Sequence, residues 1–426
     1  MKKYLSKIII TVTALVLYAS AVFFCCGFFG RLPHGAYING TDVGGLTRTQ
    51  AKTLLRRNVE SELKEKHLHI CADERIFTYS FPEIDYTDGF DGLLPSIVRG
   101  GNYYAPVEYR LNGRDEVVNG ICSLLDRPPA EPYAVFNTEG EPFTYFSGSD
   151  GVECDRNKLN ADIDASLSGN FEDVHVKMRT VKRRKTVEKI KAQTVKISSF
   201  TTRFDASNTD RSGNIALAAQ KISGIRVESG GVFSFNGAVG ARTEESGFKP
   251  AKIIEDGKFV LGYGGGVCQA STTVYNAALL AGLEIVEYHP HSLQVGYVSP
   301  SRDAMVSGSY FDLKFKNNRL TPIYVRVNCN LGSITCTIYG ESDGFKYTVE
   351  SVVTGKVARP QAVVVTGDED KILTYGRDGT KSEAYLVKSG GGETFRTLLR
   401  KDSYRAVADV VQVKNLAPSF CHSERK

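Results

Sequence analysis

The hydrophobic pattern changes period several times along the chain, and each change predicts an element. In AYINGTDVGGLTRTQAKTLLRR, from Ala36, an alternating run passes through a turn into apolar residues at helical spacing, Ala51, Leu54 and Leu55. Thr47, with Gln50 three positions on, forms the capping box that starts this helix. The same order recurs in SDGVECDRNKLNADIDASLSGNFEDVHVKM. There Asp155 caps a helix with Leu159, Ile163 and Leu167 on one face, and Val174 and Val176 then alternate as a strand. Between the two lies a mixed stretch from Cys71 to Tyr145 with a further helical pattern at VVNGICSLLDR. Residues 36–180 are therefore expected to form one α+β domain. Residues 181–194, VKRRKTVEKIKAQT, lose the pattern and read as a basic linker, a solvated segment or exposed helix, or one drawn to anionic wall polymers.

From residue 195 the texture changes. SSFTTRFDASNTDRSGNIALAAQKISGIRV predicts a strand, a polar loop and a helix carrying Ile215, Ala218, Ala219 and Ile222, stopped by Gly224. In GGGVCQASTTVYNAALLAGLEIV a helix is expected from Gln269 or Ala270, with Ala270, Val274, Ala277, Ala278 and Ala281 as its apolar stripe and Gly282 as its stop. HSLQVGYV, SYFDLKF and PIYVRVNCNLGSITCTIYG alternate as strands do. Residues 195–343 thus read as a second α+β domain, residues 344–413 as a β-rich C-terminal extension and residues 414–426 as a polar tail.

Composition alters this picture at one end only. With 24% charged and 42% hydrophobic residues the chain is an ordinary folded protein, and a net charge of +5 over 426 residues gives no nucleic-acid footprint. Lys2, Lys3 and Lys7, however, precede an uncharged run from Ile8 to Phe29, long enough to span a bilayer. Residues 1–30 are expected to be a cytoplasmic stub and single-pass membrane anchor, with the body outside the cytoplasm; a cleaved signal peptide is the alternative. Cys25 and Cys26 fall inside that run, which leaves seven cysteines for the exported part. A Gly332-Ser333 turn would set Cys329 opposite Cys336, as a cross-strand disulfide or as two buried thiols.

Chemistry concentrates around one of these cysteines. Cys268 follows Gly264, Gly265 and Gly266 and opens a helix, where unpaired N–H groups favour the thiolate, the nucleophilic form. Gly265, Gly266 and the Gln269 backbone would supply N–H groups to a developing oxyanion. His289 or His291 downstream would be the base, and Asp303 or Asp312 the acid that orients it. Two plainer readings compete: Cys268 as a small apolar packing residue, and His289 with His291 as metal ligands completed by Cys268 or Asp303. The nucleophile reading, which needs no metal or cofactor, fits the glycine run best.

Six stretches occurring in order, SSFTTRFD, RSGNIALAAQKISG, FSFNGAVGART, GGGVCQASTTVYNAALLAGLEIVEYHPHS, YVSPSRDAMV and FDLKFKNN, together resemble the VanW family of membrane-anchored proteins. The resemblance covers about Ser198 to Tyr339. More weakly, the segment before it resembles the peptidoglycan-binding domain that often precedes a VanW domain. It implies a cell-wall role, with peptidoglycan stem peptides and glycan as partners and a papain- or transglutaminase-like α+β fold. It also implies cysteine-dependent L,D-transpeptidase activity, with Cys268 as nucleophile and His289, His291 and Asp303 at the family's His and Arg-Asp positions. A non-catalytic wall-binding scaffold and a metal-dependent amidase are the rival functions. Two departures appear: VESGGVFSFN lacks a proline-glycine turn, and Ser301 stands where glycine usually precedes Arg302-Asp303.

Overall fold

A computed structural model describes residues 10–18, 30–255, 258–308 and 310–414. Residues 10–18 are helical, but the rest of the expected membrane span, with Cys25 and Cys26, and nearly all of the polar tail lie outside the described residues. Among the described residues no helix is long and apolar enough to cross a membrane.

The chain is mixed α+β and divides into two compact units, Met1–Ala130 with Gly148–Arg184, and Glu131–Ser147 with Lys185–Lys426. In the first unit the capping box is present: the Gln50 N–H donates to Thr47 Oγ1 at 3.2 Å and the Thr47 N–H to Gln50 Oε1 at 3.0 Å. The helix it starts, Arg48–Lys64, buries Ala51, Leu55, Val59 and Leu63, one residue per turn, against Ala36, Ile38 and Phe90 in one core and Leu68 and Ile70 in the next. The helix Arg156–Ser168, capped by Asp155, buries Leu159, Ile163 and Leu167 beside the helix Arg114–Leu125.

The second unit is built on strands β1 (Val195–Arg203), β2 (Ile225–Val227), β3 (Val232–Ser234), β4 (Glu284–Glu287), β5 (Lys314–Lys316), β6 (Ile323–Asn330) and β7 (Ser333–Gly340). An antiparallel sheet in the order β1-β7-β6-β2 carries helices α1 (Thr209–Ile222) and α2 (Val267–Leu280), and a smaller sheet has the order β3-β5-β4. β8 (Lys346–Val357), β9 (Gly379–Gly390) and β10 (Glu393–Tyr404) form a third antiparallel sheet whose first strand packs on α2. The hairpin Tyr133–Phe136 and Phe143–Phe146 belongs to this unit, with the Phe143 ring edge-on to Tyr324 and Tyr339.

Three local expectations are corrected. The β6–β7 turn is Leu331-Gly332, not Gly332-Ser333, so Cys329 faces Ile334 and Cys336 faces Val327. Gly332 takes the left-handed backbone at φ 82°, and this register sends Ile334, Cys336 and Ile338 together into the core while both thiols stay free. HSLQVGYV is not a strand, because its backbone bonds elsewhere: the His291 N–H goes to the Asp303 carboxylate and the Ser292 carbonyl to the Arg405 N–H. Finally, α2 begins at Val267, two or three residues earlier than expected, after Gly266 at φ 103°.

Candidate active site

Helix α2 is buried nearly all round, the polar side of its sequence included. Buried polar groups must be hydrogen-bonded, and here those bonds anchor the loop 302–306. Ser271 Oγ donates to the Ala304 carbonyl, the Ala304 N–H donates to Thr272 Oγ1 at 3.0 Å, and Asn276 Nδ2 reaches the Arg302 carbonyl at 2.8 Å. This loop, carrying Asp303 and Val306, is thereby held along the first turns of α2, where Cys268 lies.

The glycines before Cys268 are required by close approach. A Cβ on Gly265 would stand 2.7 Å from Ala251 Cβ and 2.8 Å from the Lys252 carbonyl oxygen, and one on Gly266 would stand 2.8 Å from Ile215 Cγ1. The backbone can then enter α2 with Cys268 as the second helical residue. The residue is partly exposed, and its Sγ lies 3.3 Å from the Val306 carbonyl oxygen.

Cys268, His291 and Asp303 come together. His291 is 6% exposed and Asp303 1%, and Asp303 Oδ2 accepts both the ring Nδ1–H and the backbone N–H of His291 at 2.7 Å. The imidazole also interacts with the Cys268 thiol. Burial raises the Asp303 carboxyl, but His291 and Arg400 outweigh it and hold it at about 2. Burial likewise disfavours the His291 cation, yet Asp303 and Cys268 raise it to about 9. For Cys268, burial pushes the thiol up, and the His291 cation with Arg242 overcomes this and holds it below the ordinary thiol value. Together these shifts favour a thiolate–imidazolium pair oriented by a carboxylate over the neutral thiol and imidazole.

Other residues singled out in the sequence lie elsewhere. His289 pairs with Glu287 at 3.0 Å and rests on the Phe311 ring. Asp312 accepts from Ser234 Oγ at 2.6 Å and the Asn236 N–H at 2.8 Å, fixing the short helix Phe235–Val239. Among the described residues no group of three His, Cys, Asp or Glu side chains could hold a metal ion. The Gln269 N–H is taken by the Gly266 carbonyl at 2.9 Å, while its side chain ties Arg211 to Thr202 and Arg203.

Two residues that sequence reasoning missed come from β10. Arg400, 5% exposed, donates to the Asp303 carbonyl at 2.6 Å and pairs with its carboxylate at 3.3 Å, and the Tyr404 hydroxyl donates to Asp303 Oδ1. Tyr404 Oη also accepts the Ser301 N–H at 2.7 Å, and Ser301 Oγ meets Ser382 Oγ of β9 at 2.7 Å. Ser301 sits at φ 60°, the left-handed backbone that glycine adopts freely. No local pattern announces Arg400 or Tyr404, which lie about a hundred residues from Asp303.

Residues 210–339 match a family model described as VanW like protein. The uncharacterized protein YoaR of Bacillus subtilis (strain 168) is 42% identical over 146 residues, which cover 34% of this chain and 48% of that protein. The vancomycin B-type resistance protein VanW of Enterococcus faecalis (strain ATCC 700802 / V583) is 28% identical over 111 residues, 25% of this chain and 40% of that protein. The chain spans half or less of the length of these curated relatives. A solved structure titled "Crystal structure of HP0197-G5" aligns with 16% identity over 16% of this chain and 96% of its own, at a TM-score of 0.11 that carries no argument. Cys268, His291 and Asp303 lie inside the matched segment, whereas Arg400 and Tyr404 lie beyond it.

Proposed function

Residues 210–339 being a VanW-like domain, we propose that this chain is an extracytoplasmic cell-wall protein that uses Cys268 for acyl transfer on peptidoglycan stem peptides, in the manner of an L,D-transpeptidase. The observation that carries the reading is the 2.7 Å bond from His291 to a 1% exposed Asp303, with the Cys268 thiol interacting with the same imidazole. A cysteine that merely packs needs no buried, carboxylate-oriented histidine.

In this mechanism the Cys268 thiolate attacks the carbonyl carbon of the stem's third residue, and N–H groups at the start of α2 receive the developing oxyanion. The C–N bond to the terminal D-Ala breaks, His291 gives its proton to the leaving amine, and a thioester remains. An amine of a neighbouring stem attacks the thioester and loses its proton to His291, which restores the thiolate and leaves a cross-link. Water in place of that amine yields a trimmed stem. Asp303 stays ionised and holds the imidazole in orientation. The first unit binds wall polymer in this reading, and the apolar N-terminal run anchors the chain.

The test is intact mass spectrometry of the full chain in detergent, incubated with tetrapeptide muropeptides beside Cys268→Ala. A covalent adduct on the wild type with release of D-Ala, absent from the variant, is expected. No adduct in either, with wall binding intact, would overturn acyl transfer in favour of a binding scaffold.

A further inference from the structure

Two arginines stand beside the thiol, and the acyl-transfer reading gives neither of them a role in binding. Arg242 donates from Nη1 to the Val306 carbonyl at 3.2 Å, the same oxygen that Cys268 Sγ contacts, and from Nη2 to Asn236 Oδ1. Arg211 donates to Gln269 Oε1 at 2.7 Å. They flank the glycine turn from two sides: a Cβ on Gly264 would meet the Arg242 side chain at 3.2 Å, and one on Gly266 would meet Arg211 Cγ at 3.1 Å.

Neither guanidinium has a carboxylate partner within salt-bridge distance among the described residues, in contrast to Arg400, which pairs with Asp303 and Asp402. Burial works against both charges; Tyr297 and then Cys268 offset it for Arg211, and Cys268 and then Asp312 for Arg242. The Arg242 Nε and the Tyr297 hydroxyl are buried without a hydrogen bond of normal geometry, and the phenol feels the charge of both Cys268 and Arg211. A buried donor without an acceptor is costly, and the Arg242 Nε beside the thiol would gain one from a bound anion.

We propose that Arg211 and Arg242 form a carboxylate-recognition subsite beside Cys268, so that the acyl donor is a peptide with a free carboxylate close to its scissile bond. The guanidinium fork matches a carboxylate with two parallel hydrogen bonds, which a neutral amide cannot accept in the same way. This inference rests on Cys268 being the reactive thiol, and its test needs no transpeptidase turnover.

The full chain is alkylated at Cys268 with iodoacetate and, separately, with iodoacetamide. In each case the thiolate displaces iodide and forms an S–C bond, so the reagents differ only in the carboxylate. Relative to free N-acetylcysteine, the iodoacetate-to-iodoacetamide rate ratio is expected to rise about tenfold, and to fall several-fold in Arg211→Gln and Arg242→Gln. N-acetyl-D-alanine is expected to protect the wild type against iodoacetamide where its amide does not, a readout that survives if the variants misfold. A wild-type ratio equal to that of the free thiol, or equal protection by acid and amide, would overturn the subsite. So would variants that slow both reagents by one factor, which would leave the arginines serving the thiolate alone. A failed search for a muropeptide adduct would count against acyl transfer while leaving the carboxylate preference in place.

Discussion

At the scale of single residues, the site rests on three ionisable groups whose environments pull them apart. Asp303 is held at about 2, His291 is raised to about 9 and the Cys268 thiol is lowered. His291 is raised in the fold above its ordinary 6.5, so its contribution to stability is fully present below that value and is lost as pH climbs through about 9. Asp303 is depressed, so its contribution is present above about 4 and is lost as pH falls toward about 2. In the proposed acyl transfer the imidazolium protonates the leaving amine, so a rate profile should fall on its alkaline side near 9. His291→Ala should lower kcat by roughly 10²–10⁴ and slow iodoacetamide labelling of Cys268 at pH 6, where the thiolate depends on the neighbouring cation. Labelling equally fast in wild type and variant at that pH would dissolve the ion pair. The choice between two histidines and two acids, open in the sequence, is decided by side-chain direction. His289 turns to Glu287 and Phe311, and Asp312 is used up fixing Ser234 and Asn236.

At the scale of elements, β10 is the unexpected participant. Its Arg400 and Tyr404 hold the Asp303 carboxylate from the side opposite His291, and burial of all three makes that arrangement costly to break. Arg400→Met should destabilise the second unit by about 3–5 kcal/mol, because removing one partner of a buried pair leaves the other charge uncompensated. Tyr404→Phe should cost about 2 kcal/mol, the scale of a hydrogen bond to a charged group. Urea melts of the two variants check both values, and midpoints equal to the wild type's would mean that Asp303 is held by the loop alone. The elements themselves were mostly legible. The Thr47 capping box, the Asp155 cap and the Ile215 and Ala270 stripes lie on helices where the spacing put them, because capping and period are local properties. HSLQVGYV was misread because strand alternation was its only signal, and the bonds that override it come from Asp303 and Arg405.

At the scale of the whole molecule, the cluster of Cys268, His291 and Asp303 is assembled by the second unit, including the stretch expected to be an appended extension. Removing residues 344–426 would strip the Ser382, Arg400 and Tyr404 contacts from the loop 301–306 and uncover the side of α2 on which β8 packs. The shortened chain should lose cooperative unfolding and Cys268 reactivity together; circular dichroism melts and iodoacetamide labelling would show this. A stable, reactive product would reduce β8–β10 to an accessory. What the sequence determined by itself was the set of local instructions: the mixed α+β class, the helix that presents Cys268, and the glycine run before it. It also brought Cys268, His291 and Asp303 into one short list. Only the tertiary structure decided which histidine and which acid join the thiol, that Cys329 and Cys336 lie out of register, and that Arg211, Arg242, Arg400 and Tyr404 surround the site. The reason is physical: caps, periods and glycine turns act within a few residues, whereas charge compensation and burial depend on which distant strands the packed core brings together.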